Sequence, residues 1–331
     1  MTRIAVLGAG AVGARVVRQL ASTDDIEHVT VADFEPGRAE QVVRAIDEPG
    51  RVSSRSVTDW SDGAASGVLA VPAGDHRALA ERLLEQGRHV VSVTDDVRET
   101  RALLDLDTEA RVRGLSVVVG AGFAPGLSCV LAVHAATTFD VVDEIHVAKV
   151  GTAGPACARA HHRALTGEAL DWRSGAWNRR QGGSGRELCW FPDPVGGQDC
   201  YRAALPDALL LQRAFPSAER ITARVGATRR DRLTASLPML RKPHPEGTIG
   251  AVRVEVRGRR GGSRDITIMG AMDRPGVAAG VVAAVVASWA AEGRLQRAGA
   301  AGLAQLVLPV AFLNELARRG VKAAVFEGAP A

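Results

Sequence analysis

Two groups of residues in this chain of 331 residues have the types and spacing that chemistry needs. The first is Gly8-x-Gly10-x-x-Gly13, followed by an acid, Asp33, at the end of the next apolar run. Such a turn serves a dinucleotide. Gly8 permits a tight exit from a strand, Gly10 leaves the backbone open to a pyrophosphate, and Gly13 lets helix and strand pack closely. Ala11 and Val12 add backbone N–H groups at a helix start, whose positive dipole end favours phosphate. Asp33 suits the hydroxyls of a ribose and repels a 2′-phosphate, so NAD is the favoured cofactor. Arg38 lies close by and keeps NADP as the alternative, and Phe34 flanks the same acid.

The second group could exchange protons and hold carboxylates, as hydride transfer at a carbon–nitrogen bond requires. Ala160-His161-His162-Arg163 supplies both kinds of side chain, since histidine titrates near neutrality. Neighbours on a helix point about 100° apart, so one of His161 and His162 is expected to face substrate. Two solvated or capping histidines fit the same residues. Arg163 or Arg173 could clasp a carboxylate bidentately, with Trp172 as an apolar wall, and a structural pair of Trp172 with Trp177 is the other reading. Lys149 stands at the end of an expected strand and becomes a proton donor if burial lowers its pKa, with a plain surface lysine as the favoured reading of the same residue. Asp95 and Asp96 follow a strand, where they can touch substrate or ribose, or cap the next turn.

The elements that must position these groups alternate regularly in the first part of the chain. Strands are expected at Arg3–Leu7, Val29–Asp33, Val52–Val57, Gly67–Pro72, His89–Thr94 and Leu115–Val119. Helices intervene at Ala14–Leu20, Gly37–Ile46, from a cap at Asp75 to Gly87, and at Glu99–Arg113. That order predicts a Rossmann doubly wound parallel sheet, with ligands at the carboxyl ends of the strands. Val71, Pro72, Gly122 and Phe123 all fall at that edge. Beyond Gly126 come a helix at Leu127–Thr137, a strand at Val142–Val150, and a polar stretch with few regular signals. Period-two alternation at Ile221–Ala227, and in a hairpin of Gly250–Gly258 with Asp265–Gly270, predicts an inserted α+β domain on a mainly antiparallel sheet. Asp273 is placed to cap a helix of small apolar residues, and Leu306–Arg319 and Lys322–Phe326 to form a last helix and strand. The expected domains are 1–125 for dinucleotide, 126–272 for substrate, covering the cofactor edge of the first, and 273–331 packing back on the nucleotide domain.

Composition narrows the partners. Hydrophobic residues make up 46% and charged residues 24%, the balance of a globular protein with no large unfolded part. The net charge of +4 is spread without a basic stripe, so no nucleic acid is inferred. The apolar run Val277–Ala291 is shorter than the ~20 residues a membrane span needs. The chain enters its first strand at once, and Cys129, Cys157, Cys189 and Cys200 stand at wide spacings, so a cytoplasmic protein with reduced thiols is expected. No metal site is expected, since no ligand spacing was found around the histidine pair. The small-residue helix and an apolar sheet face also suit a homodimer.

With Gly122-Phe123-Ala124-Pro125-Gly126 at the domain crossover after the early glycine turn, the chain resembles the saccharopine dehydrogenase family of NAD(P)-dependent oxidoreductases. Asp273-Arg274-Pro275 at the return helix fits the same order. The resemblance implies redox chemistry at a C–N bond, with a lysine- or polyamine-related amino acid or imine as substrate. The chain departs from better-known members across Thr152–Gly197, where substrate is selected. A sugar or polyol dehydrogenase with two domains would usually show Lys-Pro after the fifth strand, where this chain reads Thr94-Asp95-Asp96. A dinucleotide-binding protein without catalysis is the third reading.

Overall fold

The computed structural model describes residues 2–239 and 242–325. The chain divides into two compact units, one of residues 1–122 and 276–307, the other of residues 123–275 and 308–331.

The first unit begins with β1 (Thr2–Leu7), α1 (Gly13–Ala21), β2 (Ile26–Ala32), α2 (Arg38–Ile46) and β3 (Val52–Ser54). It continues through β4 (Ser66–Leu69), α3 (His76–Glu85), β5 (His89–Ser92), α4 (Val97–Leu104), α5 (Asp107–Val112) and β6 (Ser116–Val119). The second unit runs through α6 (Leu127–Ala136), β7 (Val141–Val150), α7 (Pro155–Ala164), β8 (Glu168–Arg173), β9 (Ala176–Gln181) and β10 (Glu187–Phe191). Then come β11 (Gly196–Arg202), α8 (Asp207–Ala214), β12 (Arg220–Gly226), α9 (Arg229–Thr234), β13 (Gly250–Arg260) and β14 (Ser263–Asp273). α10 (Pro275–Ala291), β15 (Gly299–Ala301) and α11 (Leu303–Leu306) return to the first unit, and α12 (Pro309–Arg318) and β16 (Ala323–Val325) to the second.

Unit one is a seven-stranded sheet in the order β3-β2-β1-β4-β5-β6-β15. Every pairing in it is parallel. This is the Rossmann order, whose switch point lies between β1 and β4. Strands buried on both faces explain the unbroken runs Ile4–Leu7 and Val90–Val91. α10 is apolar all round because it is buried all round, and Gly280 brings it onto α1: a Cβ there would stand 2.6 Å from Arg15 Cβ.

Unit two is a nine-stranded sheet ordered β10-β11-β12-β7-β13-β14-β16, with β8 on β12 and β9 on β8. Its ladders are antiparallel except for β12 beside β7. β13 and β14 pair from Gly250–Asp273 to Arg260–Ser263, and the turn has Gly261 and Gly262 at φ 56° and 83°, as a tight hairpin demands. One face, with Ile145, Val147, Val252, Val254 and Ile221, is apolar, and α6 and α8 pack on the sheet.

Several expectations are corrected. The run Glu99–Arg113 is two helices, because Leu104 and Leu106 are both buried and would lie about 200° apart on one helix. β4 stops at Leu69, leaving Val71 and Pro72 in the following loop. The Asp75 side chain makes no cap bond. Asp273 ends β14, and its Oδ1 accepts from Arg274 N. Thr152–Gly197, expected to show few regular elements, holds α7, β8, β9, β10 and the start of β11, and in β9 the exposed polar residues hide the alternation. A seventh strand, β15, has only Gly-Ala-Ala to announce it. The last helix, expected from Leu306, begins at Pro309, whose ring disfavours helical backbone in the residue before it, and the short α11 precedes it. Phe326 lies outside the described residues.

Candidate functional site

The glycine turn is built by close backbone approach. A Cβ on Gly8 (φ 105°) would stand 2.4 Å from Ala70 O, and one on Gly13 only 1.7 Å from Gly8 O. Gly10 differs: nothing lies within 4 Å of where its Cβ would be. Its missing side chain is not required by packing, so the open space above the turn is what the glycine preserves, and a pyrophosphate fits it. No side chain caps α1; Ala14 N and Arg15 N donate to Gly10 O and Val12 O, while the positive dipole end of the helix still faces the turn.

Asp33 is drawn against this turn. Its Oδ2 accepts from Ala9 N at 2.6 Å and its Oδ1 from Glu35 N at 2.7 Å, with Arg38 Nη1 at 3.4 Å. The carboxylate is only 8% exposed, whereas Phe34 beside it is 59% exposed. Asp33 therefore locks the glycine turn to the end of β2, a task that sequence spacing did not reveal. A carboxylate has about four acceptor sites, so a ribose hydroxyl can still be bound.

At the ends of β4 and β5 the structure adds a residue absent from the sequence reading. His76 is fully buried, with Nε2 3.0 Å from Val71 O and Nδ1 2.9 Å from Ser92 Oγ. Burial holds its pKa below the usual histidine value, partly offset by the bond to Val71. Asp96 caps α4, its Oδ1 accepting from Arg98 N at 2.8 Å and Glu99 N at 3.0 Å. Of its two expected roles, the cap is the one whose bonds are formed. The chain passes from one unit to the other between Gly122 and Phe123, and Phe123 is buried.

In the second unit Lys149 is 3% exposed, which corrects the reading of a plain surface lysine, and donates from Nζ to Ala124 O at 2.7 Å, within the crossover loop. His161 and His162 lie in the last turn of α7. His162 Nε2 is 2.8 Å from Leu237 O, and since a carbonyl only accepts, that nitrogen carries the hydrogen. His161 Nε2 lies 3.6 Å from Cys157 Sγ. That corrects the view that no thiol stands at ligand spacing from the histidines: Cys157 is four residues before His161, one helical turn away. Arg163 and Arg173 are exposed. Trp172 Nε1 donates to Ala218 O at 2.9 Å, and its ring meets Trp177 edge-on at 5.1 Å. Trp172 pairs with Ile221 on β12, whereas Lys149 stands beside Val225, so the two are separated by about 13 Å along the strand. The structure thus brings Lys149 to the crossover loop and leaves Trp172 and Arg173 toward the other end of the sheet.

A parallel sheet in this order, with an open glycine turn and an acid locked beside it, defines the first unit as an NAD(P)-binding domain. Residues 4–121 match the profile of the saccharopine dehydrogenase NADP binding domain. The whole fold is similar to that of apo saccharopine dehydrogenase (L-Glu forming) from Saccharomyces cerevisiae, with a TM-score of 0.70 at 15% identity, over 99% of this chain and 100% of that one. DAP dehydrogenase of C. glutamicum in complex with DAP matches with a TM-score of 0.54 at 16% identity, over 97% and 99% of the two chains. An engineered D-amino acid dehydrogenase bound to NADP+ matches with 0.52 at 15% identity, again over 97% and 99%. No helix among the described residues is long and apolar enough to cross a membrane.

Proposed function

We propose that this chain is an oxidoreductase moving hydride at the C–N bond of an amino acid or imine, with NAD favoured over NADP and a lysine- or polyamine-like substrate. The observation that carries the reading is the NADP-binding profile combined with a fold matched end to end by dehydrogenases named for saccharopine, DAP and D-amino acids. The coenzyme, when bound, supplies the hydride chemistry. Gly10, the first turn of α1 and Asp33 bind and orient it, with Arg38 and Phe34 at its adenosine end. His161 or His162 exchanges the proton of the substrate nitrogen. For His162 that atom is Nδ1, because Nε2–H is donated to the Leu237 carbonyl. Lys149 Nζ is the competing proton carrier, and Asp95 a further one. Arg163 and Arg173 are assigned to substrate carboxylates. The same reading takes the protein as a cytoplasmic homodimer, which light scattering checks by mass.

The test is a panel of lysine, saccharopine, diamines and cyclic imines with NAD(H) and NADP(H), followed by nicotinamide absorbance. Turnover of an amine or imine is expected. Silence with all of them beside turnover of a polyol would refute the substrate class, and tight coenzyme binding without any turnover would refute catalysis.

A further inference from the structure

We infer that His76 is a positioning residue for the coenzyme, fixing the loop after β4 in the shape that meets the nicotinamide half. The inference rests on the dinucleotide reading above. β1 and β4 flank the switch point, so the loop Ala70–Asp75 forms one wall of the crevice that opens at the glycine turn. The two walls touch, since Ala70 O lies 2.4 Å from where a Gly8 Cβ would stand. That contact holds Ala70 in place, so what is left to be fixed is the chain from Val71 onward, beyond the part that meets the pyrophosphate.

That loop is held from both sides. Gly74 N donates to Glu99 Oε1 at 3.0 Å, tying its far end to α4. Its near end is tied through His76 to β5. Because Val71 O can only accept, the hydrogen sits on Nε2, so Nδ1 accepts from Ser92 Oγ–H. Ser92 Oγ in turn accepts from Thr94 N at 3.2 Å. One relay of aligned donors thus runs from Thr94 through Ser92 and His76 to the Val71 carbonyl, joining the carboxyl ends of two neighbouring strands.

Stability alone does not ask for this arrangement. Burying an imidazole and a hydroxyl costs their hydration, and a matched apolar pair of the same shape is about as stable. What the relay adds is direction: it fixes the Val71 peptide plane, and with it the N–H and side chain of the residues facing the crevice.

The experiment separates the coenzyme's two halves. NADH, NADPH and ADP are titrated against the wild-type chain, His76→Asn and His76→Gln, and each variant is melted. Gln places its amide nitrogen near the position of Nε2 and keeps the bond to Val71; Asn reaches only the position of Nδ1. Asn is expected to weaken the nicotinamide coenzymes about tenfold, and Gln about threefold or less, while ADP binding stays level in both. Equal loss of ADP and NADH affinity, or no loss with Asn, overturns the positioning role. Should a variant not fold, the wild-type protein still decides. The ¹⁵N signals of His76 must report a neutral Nε2–H ring that shifts on adding NADH and not on adding ADP; a ring indifferent to NADH overturns the proposal. A wild-type chain that binds ADP and neither NADH nor NADPH refutes the dinucleotide reading itself.

Discussion

Gly10 and Gly13 belong to one motif, yet the structure assigns them opposite sensitivities. A methyl on Gly13 would stand 1.7 Å from Gly8 O and 2.8 Å from Gly8 C, both backbone atoms that cannot swing away. Helix and strand must part, and overpacking on that scale costs about 3 kcal/mol. For a unit the size of the first, residues 1–122 and 276–307, that lowers its melting midpoint by roughly 6–12 °C. A methyl on Gly10 meets nothing within 4 Å and needs no left-handed backbone. Gly10→Ala should therefore melt at the wild-type midpoint or slightly above it, since losing a glycine stiffens the unfolded chain by about 0.4–1 kcal/mol. Its cost falls on the ligand: displacing a pyrophosphate from the turn puts one or two charge-assisted bonds at risk, about 3 kcal/mol, or roughly 100-fold in Kd. Differential scanning fluorimetry and nicotinamide fluorescence titration, run side by side, separate the two effects. A Gly10→Ala chain that binds NADH as wild type does, or melts as low as Gly13→Ala, would refute the reasoning.

Asp33→Ala should weaken NADH by about 10-fold or more, since it frees both the turn and the end of β2; Arg38→Ala should leave NADH binding near wild type and reduce NADPH binding, and equal effects on the two coenzymes would count against Arg38 at the adenosine end. His76, His89 and His146 all have pKa values held below the usual 6.5, with burial the largest cause. For Asp107, Glu144 and Glu255 burial pushes upward, but arginines, with His146 for Glu144 and a backbone N–H for Asp107, outweigh it and lower them. A depressed folded pKa means that the unfolded chain binds protons first, so this stability is complete above 6.5 and declines as pH falls below it, with the carboxylates adding to the loss below about 4.5. The melting midpoint should be flat from pH 8 to about 6.5 and then fall; a midpoint rising between pH 7 and 5.5 would contradict these burials. Changing His161 and His162 to Ala separately, and Lys149→Met, should identify the proton carrier by a loss of about 100-fold or more in turnover of an accepted substrate, and three unaffected variants would remove all of these assignments.

The nucleotide-binding half was legible because its signals are local. Glycine spacing, apolar strands buried on both faces and Asp33 at the end of β2 each declare themselves within a few residues. β15 was not, as Gly299–Ala301 becomes a strand only by pairing with β6, far away in sequence. The hairpins of Thr152–Gly197 escaped for a related reason: β9 presents Arg179, Arg180 and Gln181 to solvent, so alternation gives no contrast. His76 was invisible because its meaning lies in Ser92 on the next strand. Cys157 was legible and overlooked, since its spacing from His161 on a helix opened by Pro155 was readable directly.

Direct titration of the wild-type chain with NADH and NADPH, read by nicotinamide fluorescence, tests the central claim. Saturable binding of one coenzyme per chain, with Kd between roughly 1 μM and 1 mM and displacement by ADP, is the predicted result. A flat titration with both coenzymes up to millimolar concentration would contradict it.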